Sequence, residues 1–223
     1  MERGVRSASH WSDYLSECIR DGIEQLVILG AGYDSRPYRF EQLKDRVRVF
    51  EVDHHATQEI KKAKLARIFG DLPDYVTFVP VDFAEKTLEK RLVESSYDKT
   101  AKTLFIMEGV TMYLDPEAMD SMLSFVTEHS GLGSSIIFDY FYKSAIDGNE
   151  IGRATVYHGE KLTFGIEKGR IEGYMRARGF RQVHDFDNEE LERLYCTGEN
   201  RRRQVFSGIS IVSANIARSN EAQ

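Results

Sequence analysis

Five short apolar runs, each closed by a glycine turn or an acidic residue, constrain this chain more than any other feature. They are Leu26–Leu29 before Gly30-Ala31-Gly32, Val47–Val52 before Asp53, and Val76–Val81 before Asp82. Thr103–Met107 before Glu108 and Ser135–Phe138 before Asp139 complete the set. Their length and their β-branched and aromatic content are those of buried strands. Amphipathic stretches separate them. Strand and helix therefore alternate, which predicts an α/β fold doubly wound about a mostly parallel sheet, with right-handed crossovers and helices on both faces.

Local signals place the joints. Ser35 or Asp34 can cap a helix that carries Pro37 in its first turn, where a missing N–H costs nothing. Pro80 puts the third run at a sheet edge or a strand end, because proline cannot donate to a ladder. Over residues 54–67 the pattern predicts Ala56, Ile60 and Ala63 on the packed face and Lys61, Lys62 and Lys64 towards water. Asp115-Pro116 opens a helix with Met119, Met122, Leu123 and Val126 on its core side.

Gly148, Gly152, Gly159 and Gly165 punctuate residues 143–165, which predicts a loop-rich insertion or lid. Beyond it come a helix near 167–178 stopped by Gly179, a strand near Phe180–Val183 and a helix near 188–196. The last apolar run is Val205–Val212, so two late strands can pair antiparallel. The chain reads as one domain, 1–223, with a short helical lead over residues 1–24.

Composition narrows the functions. Thirty basic side chains stand against 36 acidic ones, a formal charge of −6. That is the wrong sign for a protein holding a nucleic-acid backbone. No run nears the ~20 apolar residues of a membrane span, and Met1-Glu2-Arg3-Gly4 opens no secretory signal. The two cysteines, Cys18 and Cys196, are far apart and suit a reducing compartment, so a cytoplasmic protein without a disulfide is expected. His54-His55 has no third ligand near it, so no metal site is expected. Arg201-Arg202-Arg203 reads as a solvated loop.

Ligands of open parallel sheets bind beyond the carboxyl ends of the strands. Those ends here offer a glycine turn, then Glu51 and Asp53, Asp82, Glu108 and Asp139. An acidic rim repels a pyrophosphate and suits a ligand with a ribose diol, an adenine amine and a fixed positive charge. S-adenosylmethionine has all three. Asp53 follows Gly32 by 21 residues, the separation at which an acid reaches ribose hydroxyls. A nicotinamide dinucleotide is the competitor, but Ser35 stands where its G-x-G-x-x-G motif wants Gly or Ala. No P-loop signature is present.

The blocks Leu29-Gly30-Ala31-Gly32-Tyr33-Asp34-Ser35-Arg36, Phe50-Glu51-Val52-Asp53 and Glu108-Gly109-Val110-Thr111-Met112-Tyr113-Leu114 resemble the leucine carboxyl methyltransferase family. The likeness is greatest to its prokaryotic branch of S-adenosylmethionine-dependent, polyketide-synthesis-type O-methyltransferases, over about residues 20 to 215. The resemblance implies a class I methyltransferase (Rossmann-like) sheet of order 3-2-1-4-5-7-6 with strand seven antiparallel. It also implies donor contacts from Gly30, Ala31, Gly32 and Arg36, from Glu51, Val52 and Asp53 on the ribose side, and from Val81, Asp82 and Phe83 on the adenine side. Glu108 and Gly109 would stand beside the donor's centre. Family members carry a longer N-terminal segment with an Arg for the methionine carboxylate, a motif that neither Arg3 nor Arg6 matches.

Methyl transfer is an in-line displacement, in which the protein supplies alignment and dry electrostatics. A carboxylate acceptor needs no general base; a hydroxyl needs one within about 3 Å. Candidate catalytic residues are Glu108, Tyr113 and His158, with Asp139 as a further base. The function expected is methylation of a small-molecule hydroxyl or a carboxylate. The alternatives are an NAD-type oxidoreductase and a donor-binding protein without turnover.

Overall fold

The computed structural model describes residues 7–83, 88–148 and 162–216. In chain order the elements are α1 (Ser7–Arg20), β1 (Gln25–Leu29), α2 (Arg36–Arg39), β2 (Arg48–Asp53), α3 (His55–Phe69), β3 (Val76–Pro80) and α4 (Leu88–Glu94). Then follow β4 (Thr103–Met107), α5 (Pro116–Glu128), β5 (Ser135–Phe141), α6 (Lys143–Asp147), α7 (Ile171–Arg176), β6 (Phe180–Phe186), α8 (Asn188–Tyr195) and β7 (Ile209–Ile216). The seven strands form one sheet of order β3-β2-β1-β4-β5-β7-β6. The first five are mutually parallel, and β7 runs antiparallel to both β5 and β6. This is the order the family resemblance implies.

The central strands β1 and β4 are buried at every residue. Alternate side chains feed two cores, because successive residues of a strand point to opposite faces. Val27, Leu29, Phe105 and Met107 pack with Met119, Met122, Leu123 and Val126 of α5. Leu26, Ile28, Leu104 and Ile106 pack on the other face with Trp11 and Leu15 of α1. Full burial of each such side chain stabilises the fold by about 1.5–3 kcal/mol. Asp115 caps α5 by accepting from the Ala118 N–H at 2.7 Å, and Pro116 occupies the first turn. Pro80 ends β3, which is an edge strand.

Three local expectations are corrected. In α3 the buried residues are Gln58, Lys61 and Leu65, whereas Ile60 is half exposed and Ala56 and Ala63 face solvent. The cause is Glu51 of β2, whose buried charge draws Lys61 inward against the apolar pattern. The last strand is Ile209–Ile216 rather than 205–212. Phe206 instead folds back over Gly208, where any Cβ would stand 2.5 Å from its ring. The fifth run, expected to stop at Asp139, continues through it to Phe141, paired with β7. The turn after β1 forms a single-turn helix in which Asp34, one of the two residues expected to cap it, accepts from the Arg36 N–H at 2.8 Å.

Of the expected insertion, residues 143–147 form α6 and Thr163 bonds back to the turn after β4; its middle, with Gly152 and Gly159, lies outside the described residues. Cys18 and Cys196 are not joined in a disulfide. Among the described residues no helix is long and apolar enough to cross a membrane.

Candidate active site

The register brings the strand termini to one edge. Leu29 is level with Val52, and Ile28 with Ile106, so Gly30, Asp53 and Glu108 emerge side by side. Met107 pairs with Phe138, which puts Asp139 beside Glu108. The glycine turn starts where Gly30 and Ala31 both donate to the Val52 carbonyl, at 2.8 and 3.0 Å. Gly30 has φ +69°, and a Cβ there would meet Val110 at 2.3 Å. This glycine is demanded by the protein's own packing. Gly32, at φ +40°, donates to Asp53 Oδ2 at 2.5 Å. A Cβ on Gly32 would meet nothing nearer than 3.9 Å, and one on Gly109, at φ +71°, nothing within 4 Å. Both therefore border space that the described residues leave open.

A cavity of about 410 Å³ lies over this turn, lined by Ser12 of α1, Ile28, Gly30 to Arg36, Arg39 and Glu108. Its floor carries a charge relay. The Arg36 guanidinium, 5% exposed, contacts Asp34 Oδ2 at 2.5 Å and Glu108 Oε2 at 2.7 Å. Trp11 lies over it at 5.6 Å from the ring centroid, within range of a cation–π contact. Burial pushes the Glu108 carboxyl above its usual range, and the Arg36 charge partly offsets this. Two carboxylates against one guanidinium leave the floor with a net negative charge.

Asp139 is buried, and its Oδ1 accepts from the Gly109 N–H at 2.7 Å. Burial raises its carboxyl to about 7, partly offset by the Gly109 N–H bond, and the Glu108 charge adds a smaller push upward. Its geometry makes it a positioning residue for the loop after β4.

Gly30, Ala31, Gly32, Arg36 and Glu108 thus meet in one cavity, and Asp53 closes on it through Gly32. Glu51 is a correction to the acidic rim. It is level with Ile28 inside the sheet and has no exposure. Its carboxylate lies 2.7 Å from Lys61 Nζ and accepts from the Tyr38 hydroxyl at 2.8 Å. Lys61 in turn donates to the Ala31 carbonyl at 3.3 Å. Glu51 therefore supports the turn from beneath. Val52 and Val81 have core side chains, and the Val52 carbonyl is committed to the turn.

Asp82 is exposed at the end of β3, and Phe83 lines a second cavity of about 360 Å³ between α4 and α5. Tyr113 is 46% exposed beyond the β4 loop. His158 lies outside the described residues. Sequence reasoning missed Lys61, Tyr38, Ser12, Trp11 and Arg39, none of which carries a local signal. Among the described residues no group of three metal-ligating side chains forms.

The sequence profile of the leucine carboxyl methyltransferase family matches residues 4–127. The chain belongs to this family. Similar curated members include YktD of Bacillus subtilis, whose name describes an S-adenosyl-L-methionine-dependent methyltransferase. It is 41% identical over 119 residues, 53% of this chain and 39% of YktD. A protein of the same description from Mycolicibacterium paratuberculosis is 32% identical over 186 residues, 78% of this chain and 59% of that protein. The chain thus spans between about two fifths and three fifths of the length of these relatives.

Solved structures share the fold at low identity. A protein from Nostoc punctiforme named as an O-methyltransferase aligns with TM-score 0.59 at 12% identity, over 91% of this chain and 54% of that one. The magnesium protoporphyrin IX methyltransferase of Synechocystis, solved with S-adenosylhomocysteine, aligns with TM-score 0.57 at 13% identity, over 96% and 84%. The fold of this family member is the class I methyltransferase fold.

Proposed function

We propose that this chain is an S-adenosylmethionine-dependent O-methyltransferase acting on a small-molecule hydroxyl or a carboxylate. The observation that carries the reading is the cavity over the glycine turn, floored by the Asp34–Arg36–Glu108 relay in a member of this family. The residues fit the donor. Among the described residues, open space borders Gly32 and Gly109, and a net-negative floor suits a sulfonium and an ammonium. The volume lies within the range of small-molecule sites, roughly 300–1,000 Å³.

When bound, the donor supplies an electrophilic methyl group. The chain's part is to hold and orient it. Asp53 keeps lone pairs free beside its bonds to the Gly32 and His54 N–H groups for a ribose hydroxyl. Asp82 and Phe83 are assigned to the adenine side, and Glu108 and Gly109 to the donor's centre. Burial of the relay strengthens its field, because a dry site screens charge less than water does. A carboxylate acceptor arrives already ionised. A hydroxyl acceptor would pass its proton to His158.

Transfer of a labelled methyl group to a panel of carboxylic acids and phenols tests the reading, and mild alkali sorts the products. Methyl esters release methanol under these conditions and aryl methyl ethers do not. Labelled product of either kind is expected. Tight donor binding with no product across the panel would instead identify a protein that binds the donor without turnover.

A further inference from the structure

His10 and Trp11 enter the core side by side near the start of α1. Both are buried, and each carries a nitrogen with no hydrogen-bond partner among the described residues, His10 Nε2 and Trp11 Nε1. A buried polar atom left unpaired cancels much of what burial of its ring gains. The start of α1 is therefore held in place by a small surplus. Yet it forms part of the cavity over the glycine turn, since Trp11 covers Arg36 and Ser12 lines the wall.

The other nitrogen of His10 is fixed from α8. The Tyr195 hydroxyl donates to Asp13 Oδ2 at 2.9 Å, so its oxygen accepts from the His10 Nδ1–H at 3.2 Å. The neutral ring then bears its lone pair on Nε2. It lies against Phe186 of β6, with centroids 4.2 Å apart. The titratable groups that face it are Asp13 on α1, Glu190 and Tyr195 on α8, and His184 on β6. Burial holds the imidazole below its usual range; Asp13 and Glu190 partly offset this, and His184 adds a smaller push downward. A proton on Nε2 would make a buried N–H that no described residue accepts.

We propose that His10 is a pH latch: protonation at Nε2 releases the start of α1 from α8 and β6, withdraws Trp11 and Ser12 from the donor cavity, and so weakens donor binding in acid. The effect on binding rests on the donor reading above; the release of the helix does not. Docking of the helix is fully supported above the titration of a free histidine, near about pH 6.5, and weakens as pH falls below it.

Trp11 is the only tryptophan in the chain, so its fluorescence reports the release. Between pH 7.5 and 5.5 its emission is expected to move to the red and its quenching by acrylamide to rise, while most of the far-UV circular dichroism remains. His10→Asn keeps an N–H for the Tyr195 oxygen but cannot titrate, and it should abolish both changes. Over the same range S-adenosylhomocysteine should lose up to about tenfold more affinity for wild type than for His10→Asn, the limit for a group that titrates one unit higher when free. Glu108 and Asp139 are common to both proteins and cancel in that comparison. Asp13→Asn, at an exposed position, should move the emission change to lower pH, because it removes a charge that favours the imidazolium. Emission that ignores pH would overturn the latch. So would a change that survives in His10→Asn, vanishes in His184→Gln, or comes with loss of the whole far-UV signal. Failure of S-adenosylhomocysteine to bind at any pH would remove the donor reading and leave the emission to decide the latch alone.

Discussion

Val110 occupies the space that a side chain at Gly30 would need: a Cβ built on Gly30 stands 2.3 Å from Val110 Cγ2. The loops after β1 and β4, far apart in the chain, are thereby packed against each other at the mouth of the site. Gly30 also holds φ +69°, which costs a residue with a Cβ about 1–2 kcal/mol. Gly30→Ala is expected to destabilise the protein by roughly 2–4 kcal/mol in a denaturant titration, overlap and backbone together. Adding Val110→Ala should return the overlap part only. Full recovery would show that the backbone conformation carries no cost.

Lys61 and Glu51 form the second device beneath the turn. Both are buried and 2.7 Å apart. Lys61→Met leaves the Glu51 carboxylate without its counter-charge and should cost about 3–5 kcal/mol. The double variant Glu51→Leu/Lys61→Met should lie much closer to wild type, because desolvation of the pair offsets most of its attraction. A double variant as unstable as the single one would mean that the pair itself, rather than the orphaned charge, carries the stability.

Asp139 should make stability depend on pH. In the native protein burial raises its carboxyl to about 7, whereas an unfolded aspartate titrates near roughly 3.9. The native state therefore binds the extra proton between these values. The stabilisation is complete below about pH 4 and is lost as pH rises through about 7. Unfolding free energies from pH 5 to 8 should fall with pH on this account. Asp139→Asn, which keeps an oxygen for the Gly109 N–H, should flatten the slope. An unchanged slope in that variant would place the titration on another group.

The ends of β1, β2 and β4 are legible in this chain because each run stops at a glycine turn or an acid, whereas β5 runs on through Asp139 to Phe141 because β7 pairs with it there. The register then brings Gly30, Asp53 and Glu108 to one edge without further information. Asp115-Pro116 is equally readable, because capping is a local event. Lys61 is not, since what buries it is Glu51 on another element and no spacing within α3 reports that. Phe206 misleads for a similar reason: its apolar run reads as strand, yet its ring packs over Gly208.

Asp53 carries the account of the donor site most directly, through its hold on Gly32 and its place at the end of β2. The decisive measurement is a calorimetric titration of wild type and Asp53→Ala with S-adenosylhomocysteine, with NADH as control. Saturable binding to wild type is predicted, weakened by about 1.5–3 kcal/mol in Asp53→Ala, with no response to NADH. Unchanged affinity in Asp53→Ala, or saturable binding of NADH in place of S-adenosylhomocysteine, would contradict it.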